Sequence, residues 1–315
     1  PARSRPKDWA PCLRMRAPKQ LQTPCAAFSM NPTGARLFRP IAPARLSLTL
    51  FWRNGRHLLQ RLDVVKFLER HPFLVRSVWR RVHQRVNPLM FHSLDVNEFP
   101  KSGGTWLCRM LSECLEWRFD DNTYPWFGNA VIKHHRPALT TSRQISVVRD
   151  PRDVAVSYFH HCRQAFENDD FNRHVVELMG KHVFSKAKTE AEQFDAFLRT
   201  MITDPITPRF TWGQFYRNPS RDCTVFVRYE DMRADTAATL DGLFKTLNLD
   251  VPRDRIAAVA DSHDIQKILK NRAPDAGPHF VRKGKVGGWQ DVLSDEQAAL
   301  VVKDAGDLLD RFGYA

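Results

Sequence analysis

The chain reads as an α/β protein, a central and mostly parallel sheet flanked by helices in three layers. Three observations predict this. Short β-branched runs, "LDVNEF", "QISVVR" and "CTVFVRY", alternate with segments of helical length and amphipathic pattern. The second and third runs are apolar almost throughout, as strands covered on both faces are. The first run leads into "NEFPKSGGTWL", where a lysine, a serine and glycines precede an apolar helix, a P-loop-like arrangement.

Before the alternation begins, composition divides the chain. Its 315 residues are 43% hydrophobic, enough for one large domain with an extension. The formal net charge of +13 is concentrated at the front. Residues 1–45 hold nine Lys/Arg against Asp8 alone, and residues 46–86 hold nine against Asp63 and Glu69, so the rest is slightly acidic. Binding of nucleic acid by the body of the protein is therefore not expected. Eight of the twenty prolines lie in residues 1–45, which read as a disordered, basic, Pro-rich extension, with Met30 a candidate start. Residues 46–90 read as a basic helical lead-in. Leu74, Val78, Val82 and Val86 recur every fourth position among Arg76, Arg80, Arg81 and Arg85, and Pro72 separates an earlier helix. Such a helix packs on the body or lies on an anionic membrane surface, and the pattern leaves both open. No apolar run nears the roughly 20 residues of a membrane span, and no signal peptide is evident. Six cysteines without a CxxC pair argue against a zinc ribbon or dithiol site. A reduced, cytoplasmic setting is the expectation.

The domain proper is expected over 91–315. "LDVNEF" forms a strand and Thr105 to about Trp117 a helix. Gln144–Arg149 is a buried strand. Asp150–Phe166 follows as a helix, with Asp150 as N-cap and Pro151 in first position. Cys223–Tyr229 is a further strand, and one helix runs on to about Leu247.

Three segments carry chemistry. In the opening loop the lysine precedes the glycines, unlike the GxxxxGK[ST] pattern, and no Walker-B aspartate follows an apolar strand. In "VVRDPRDVAVSYFHH", Arg149 ends a strand and Ser157 lies about two helical turns on, so a guanidinium fork and a hydroxyl can meet one phosphate. "RKGKVGGW", Arg282–Trp289, is a flexible basic loop.

Together, in this order from Leu94 to Trp289, they resemble the sulfotransferase family that uses 3′-phosphoadenosine 5′-phosphosulfate (PAPS). The first loop is similar to that family's PKSGTTW loop, "RDVAVSY" to its 3′-phosphate motif, and "RKGKVGGW" to its RKGxxGxW signature. The resemblance implies roles at matching positions. Lys101 would contact the 5′-phosphate and the leaving bridging oxygen. Ser102, Gly103, Gly104 and Thr105 would wrap that phosphate, and Trp106 would stack on adenine. Arg149 and Ser157 would hold the 3′-phosphate with Arg282, Lys283 and Gly284. Tyr229 matches the tyrosine near adenine, and Ser262 a further adenine contact in a poorly matching region.

"VIKHHRPAL" resembles the family's K-x-H-x-P segment. It implies His135 as general base and Lys133 as a cation on the sulfuryl oxygens. In an extended segment neighbours point to opposite sides, so only one of His134 and His135 can face the site. The departures are Gly104 where Thr is usual and Gly288 where Asp is common.

The implied reaction is in-line transfer of a sulfuryl group from PAPS to a hydroxyl or amine, with no metal. The acceptor is a small molecule of unknown class. Its pocket is expected in Asp120–Ala130 and Asn168–Arg209, with Trp126, Phe127 and Phe184 either lining it or in the core. Two alternatives stay open: a nucleotide-dependent kinase, and a non-catalytic protein that binds a phosphonucleotide or a membrane surface.

Overall fold

A computed structural model describes residues 82, 86–87, 89–119, 127–136, 144–168, 179–180, 182–206, 208–217, 224–271 and 284–315. The expected extension over 1–45 and nearly all of the lead-in over 46–90 lie outside them, as do Trp126, Arg282 and Lys283.

Four strands form one sheet in the order β2-β1-β3-β4. They are β1 (Ser93–Glu98), β2 (Ala130–His134), β3 (Gln144–Val148) and β4 (Thr224–Arg228). Every pairing is parallel, with Val96 opposite both Lys133 and Ile145, and Ser146 opposite Phe226. The run left conditional by its two histidines is thus an edge strand. The chain turns one way from β1 to β2 and the other way to β3. The loops after β1 and β3 therefore diverge and leave a crevice at their carboxyl ends.

Helix α1 (Gly104–Leu115) buries Leu107, Met110 and Leu111 completely against Leu94 and Val96 of β1. Each such side chain contributes about 1.5–3 kcal/mol by leaving water. Helix α2 (Pro151–Asn168) starts as its sequence predicts: Asp150 accepts from the Arg152 N–H at 2.9 Å. Its other face packs on α3 (Glu190–Thr203), with the Phe159 and Phe194 rings 4.7 Å apart. Phe184 belongs to that cluster at 2% exposure, so among the described residues it is part of the core.

Helix α4 (Trp212–Arg217) brings Tyr216 under β3. The single helix expected after β4 is two. α5 (Tyr229–Ala234) ends at Asp235, whose side chain then accepts from Ala238 N–H and starts α6 (Thr236–Thr246). An aspartate caps more favourably than it continues a helix, which breaks the run there. α7 (Arg253–Ser262) and α8 (Ile265–Lys270) pack on the α1 side of the sheet, while α9 (Asp295–Ala305) and α10 (Leu308–Phe312) pack on the other. No helix among the described residues is long and apolar enough to cross a membrane.

Candidate active site

The first two candidate segments follow the carboxyl ends of β1 and β3, and the described part of the third, from Gly284, comes after α8. The loop after β1 makes a tight turn, with Ser102 N–H donating to Phe99 O at 3.1 Å. Lys101 sits within it at φ 73, a left-handed conformation rare for a side-chain-bearing residue. Gly103 follows at φ 104, and a Cβ there would lie 2.7 Å from the Tyr229 ring, so the loop and β4's end approach as closely as only glycine allows.

Tyr216 fixes the turn from below. Its hydroxyl donates to Val147 O at 2.6 Å and so accepts from Phe99 N–H (3.3 Å) and the Ser102 hydroxyl (3.4 Å). Ser102 is fully buried, and both of its donors go to protein partners.

One cleft is lined by Lys101, Gly103, Trp106, Arg149, Ser157, Tyr229 and Gly284, seven of the residues singled out in the sequence. Arg149 donates to Lys101 O (3.3 Å) and Lys285 O (3.2 Å) and stacks 4.3 Å over the Tyr229 ring. Its buried Nε has no hydrogen-bond partner among the described residues. That unspent donor fits an anionic group, as do the Ser157 hydroxyl and the Lys101 ammonium of the same cleft. Burial pulls Lys101 down to about 8, with Arg149 and Lys133 adding to the effect and Glu98 opposing it. Trp106 borders the cleft edge-on to Tyr229 and donates its indole N–H to His263 O at 3.0 Å. Ser262 is not brought into the cleft: its hydroxyl bonds Val259 O within α7.

At the sheet edge, alternation separates the two histidines. His134 turns to the face of Asp95, 2.6 Å from its carboxylate, in a buried pair. Lys133 turns to the α1 face and donates to the Thr105 hydroxyl at 2.6 Å. His135 follows the strand, with Nδ1 3.0 Å from Glu98 O. A carbonyl only accepts, so Nδ1 carries the proton and Nε2 the lone pair. Burial holds this imidazole below the ordinary histidine range, which keeps it neutral.

Three contributors escaped the motif reading. Asn97 clamps the chain beyond β2, donating to Arg136 O (2.6 Å) and accepting from Arg136 N–H (3.1 Å). Asp153 accepts from Gly287 N–H (2.8 Å) and Trp289 N–H (2.9 Å), pinning the C-terminal loop beside Arg149. Glu98 accepts from Gly104 N–H at the head of α1. Signals existed: Asp153 lies four residues from both Arg149 and Ser157, on one helix face. Asn97 and Glu98 are polar residues in a strand that buries them. Among the described residues no group of His, Cys, Asp and Glu is placed to hold a metal.

Comparison with known proteins agrees with this geometry. A family profile described as "Sulfotransferase domain" matches residues 131–313. Cytosolic sulfotransferase 4 of Arabidopsis thaliana is 25% identical over 65% of this chain and 69% of its own. Sulfotransferase 6B1 of the chimpanzee, Pan troglodytes, is 23% identical over 48% of this chain and 45% of its own. The chain thus spans about half the length of the latter relative. A mouse sulfotransferase solved in complex with PAP superposes with a TM-score of 0.50 at 20% identity, covering 70% of this chain and 88% of that one, and shares the fold.

Proposed function

Because the chain belongs to the sulfotransferase family, we propose that it transfers a sulfuryl group from PAPS to the hydroxyl or amine of a small-molecule acceptor. His135 serves as general base and no metal takes part. The observation that carries this reading is the convergence of Lys101, from the loop after β1, with Arg149 and Ser157, from the end of β3 and the helix after it, on one cleft. Lys101 with the amides of its loop would hold the 5′ end of the nucleotide. Arg149 and Ser157, with Gly284 and the neighbouring Arg282 and Lys283, would hold the 3′-phosphate. Trp106 and Tyr229 would flank the base. Bound there, the donor supplies an activated sulfuryl group.

The chain's own residues do the rest. His135 presents Nε2 to the acceptor and takes its proton. Lys101, protonated below about 8, balances charge growing on the leaving side. Lys133, steadied by Thr105, adds a second ammonium. These cations do the work that a metal does in many phosphoryl transfers, so chelators are expected to leave turnover unchanged. We place the reaction in the cytoplasm, a reading supported by the cytosolic Arabidopsis relative. The boundaries near 46 and 91 belong to the same proposal, as does peripheral contact of the lead-in with anionic membrane; at its end Leu89 and Met90 are 80% and 74% exposed.

Calorimetry tests the core of this reading. The protein should bind adenosine 3′,5′-bisphosphate at least about 100-fold more tightly than AMP, since a second phosphate meets charge-assisted donors. His135→Ala should keep that affinity and lose at least about 100-fold in turnover. Equal binding of the two nucleotides would overturn the donor assignment.

A further inference from the structure

Glu98 is a buried acid behind this cationic site, and no part of the proposed chemistry uses its carboxylate. It is 2% exposed, at the last position of β1. Its carboxylate accepts the N–H of Gly104, and its own carbonyl orients His135. It also fills space: a Cβ on residue 104 would lie 2.5 Å from Glu98 Cδ and 2.8 Å from Oε1. Non-bonded atoms do not approach so closely, so a side chain at 104 would require the buried Glu98 carboxylate to move. The absence of a side chain at Gly104 leaves the space that the acid six residues earlier occupies.

The surrounding charge gives that pair a purpose. Lys101 is faced by Glu98, Arg149, Lys133 and the Cys162 thiol, which burial pushes up to about 12 and keeps neutral. Glu98 is faced in turn by Lys101, His135 and the Tyr216 phenol. One buried carboxylate therefore faces Lys101 and His135, and Lys101 in turn faces Arg149 and Lys133.

We propose that Glu98 is a positioning residue of the donor site, whose carboxylate replaces a side chain at 104, ties down the head of α1 and serves as the standing counter-charge of Lys101. The proposal rests on the sulfotransferase reading for its consequence, and on geometry alone for the pairing.

The charge role and the shape role are separable. Glu98→Gln keeps the volume and an oxygen for the Gly104 N–H and removes only the charge. Among the charges around Lys101, Glu98 opposes the effect of burial most strongly. Without it, the lysine should lose its proton below its present value of about 8. The midpoint of Lys101 acylation by acetic anhydride, followed against pH by mass spectrometry, should therefore fall by about one unit or more in Glu98→Gln. The affinity of the variant for adenosine 3′,5′-bisphosphate, relative to the parent, should drop at least about fivefold between about pH 6.5 and about pH 8.5. The ionisation of the ligand cancels in that ratio. A purely structural glutamate would change stability or affinity equally at all pH, so an unmoved acylation midpoint overturns the proposal. A parent protein that does not bind the bisphosphate, with the midpoint still moved, would sink the sulfotransferase reading and leave the pairing standing. The pair itself is tested by Gly104→Ala, which should weaken bisphosphate binding about tenfold or more, and by adding Glu98→Ala, which should restore part of it. Additive losses would overturn the pairing.

Discussion

Lys101 is asked to hold a charge and an unfavourable backbone at once. At φ 73 it occupies the left-handed region, which costs a side-chain-bearing residue roughly 1–2 kcal/mol. Glycine there would relieve the strain, against a loss of about 0.5–1 kcal/mol from greater freedom of the unfolded chain. Lys101→Gly should thus be as stable as Lys101→Ala or more so, by up to about 1 kcal/mol, in denaturant melts. Both should lose turnover by at least about 100-fold. If alanine proves the more stable replacement, the loop does not store strain at this residue. The turn thus sacrifices stability to aim an amine, a trade common where chemistry is done. The same logic sets the histidine: its Nδ1 is fixed by Glu98 O, so the working nitrogen needs no choice of tautomer.

Between strands, the decisive element is the short extension of β2 beyond His134. It has no ladder of its own, and Asn97 supplies one by a donor and an acceptor to Arg136. Asn97→Ala leaves both backbone groups of Arg136 without that partner and should destabilise the fold by about 1–3 kcal/mol. It should also lower turnover about 10- to 100-fold through the displaced His135. Bisphosphate affinity should change less than turnover, since the Asn97 amide holds the chain beyond β2, while the nucleotide loop is held by its own bonds to Phe99 and Tyr216. A parallel drop in affinity would show that Asn97 supports the whole crevice instead. This element also marks how far the sequence was legible. β-branched runs and caps located β1, β3, β4 and α2 to within a residue or two, because burial on both faces and an Asp-Pro start leave a local imprint. The rule of alternation separated His134 from His135 before any coordinates. Strand order left no such imprint, nor did the break at Asp235, where a capping preference competes with an unbroken helical pattern. Contacts made at long range, such as Tyr216 beneath the loop or Ser262 turned into its own helix, depend on tertiary packing that no window of residues encodes.

Across the whole molecule, the site is assembled from residues as far apart as Glu98 and Trp289, so anything that bridges them stabilises the fold as a unit. Saturation with the bisphosphate at about 100 times its dissociation constant should add about 2.7 kcal/mol to unfolding. Two indoles are tied to that site. Trp106 borders the cleft, and Trp289 lies 4.2 Å beneath the Arg152 guanidinium with its amide held by Asp153. Emission from both depends on the polarity and charge beside the ring. Titration with nucleotide should therefore quench or shift the protein's intrinsic fluorescence, and Trp106→Phe should remove most of the change. The protein then reports its own occupancy optically, which allows donor affinity to be followed in unlabelled samples before any acceptor is identified.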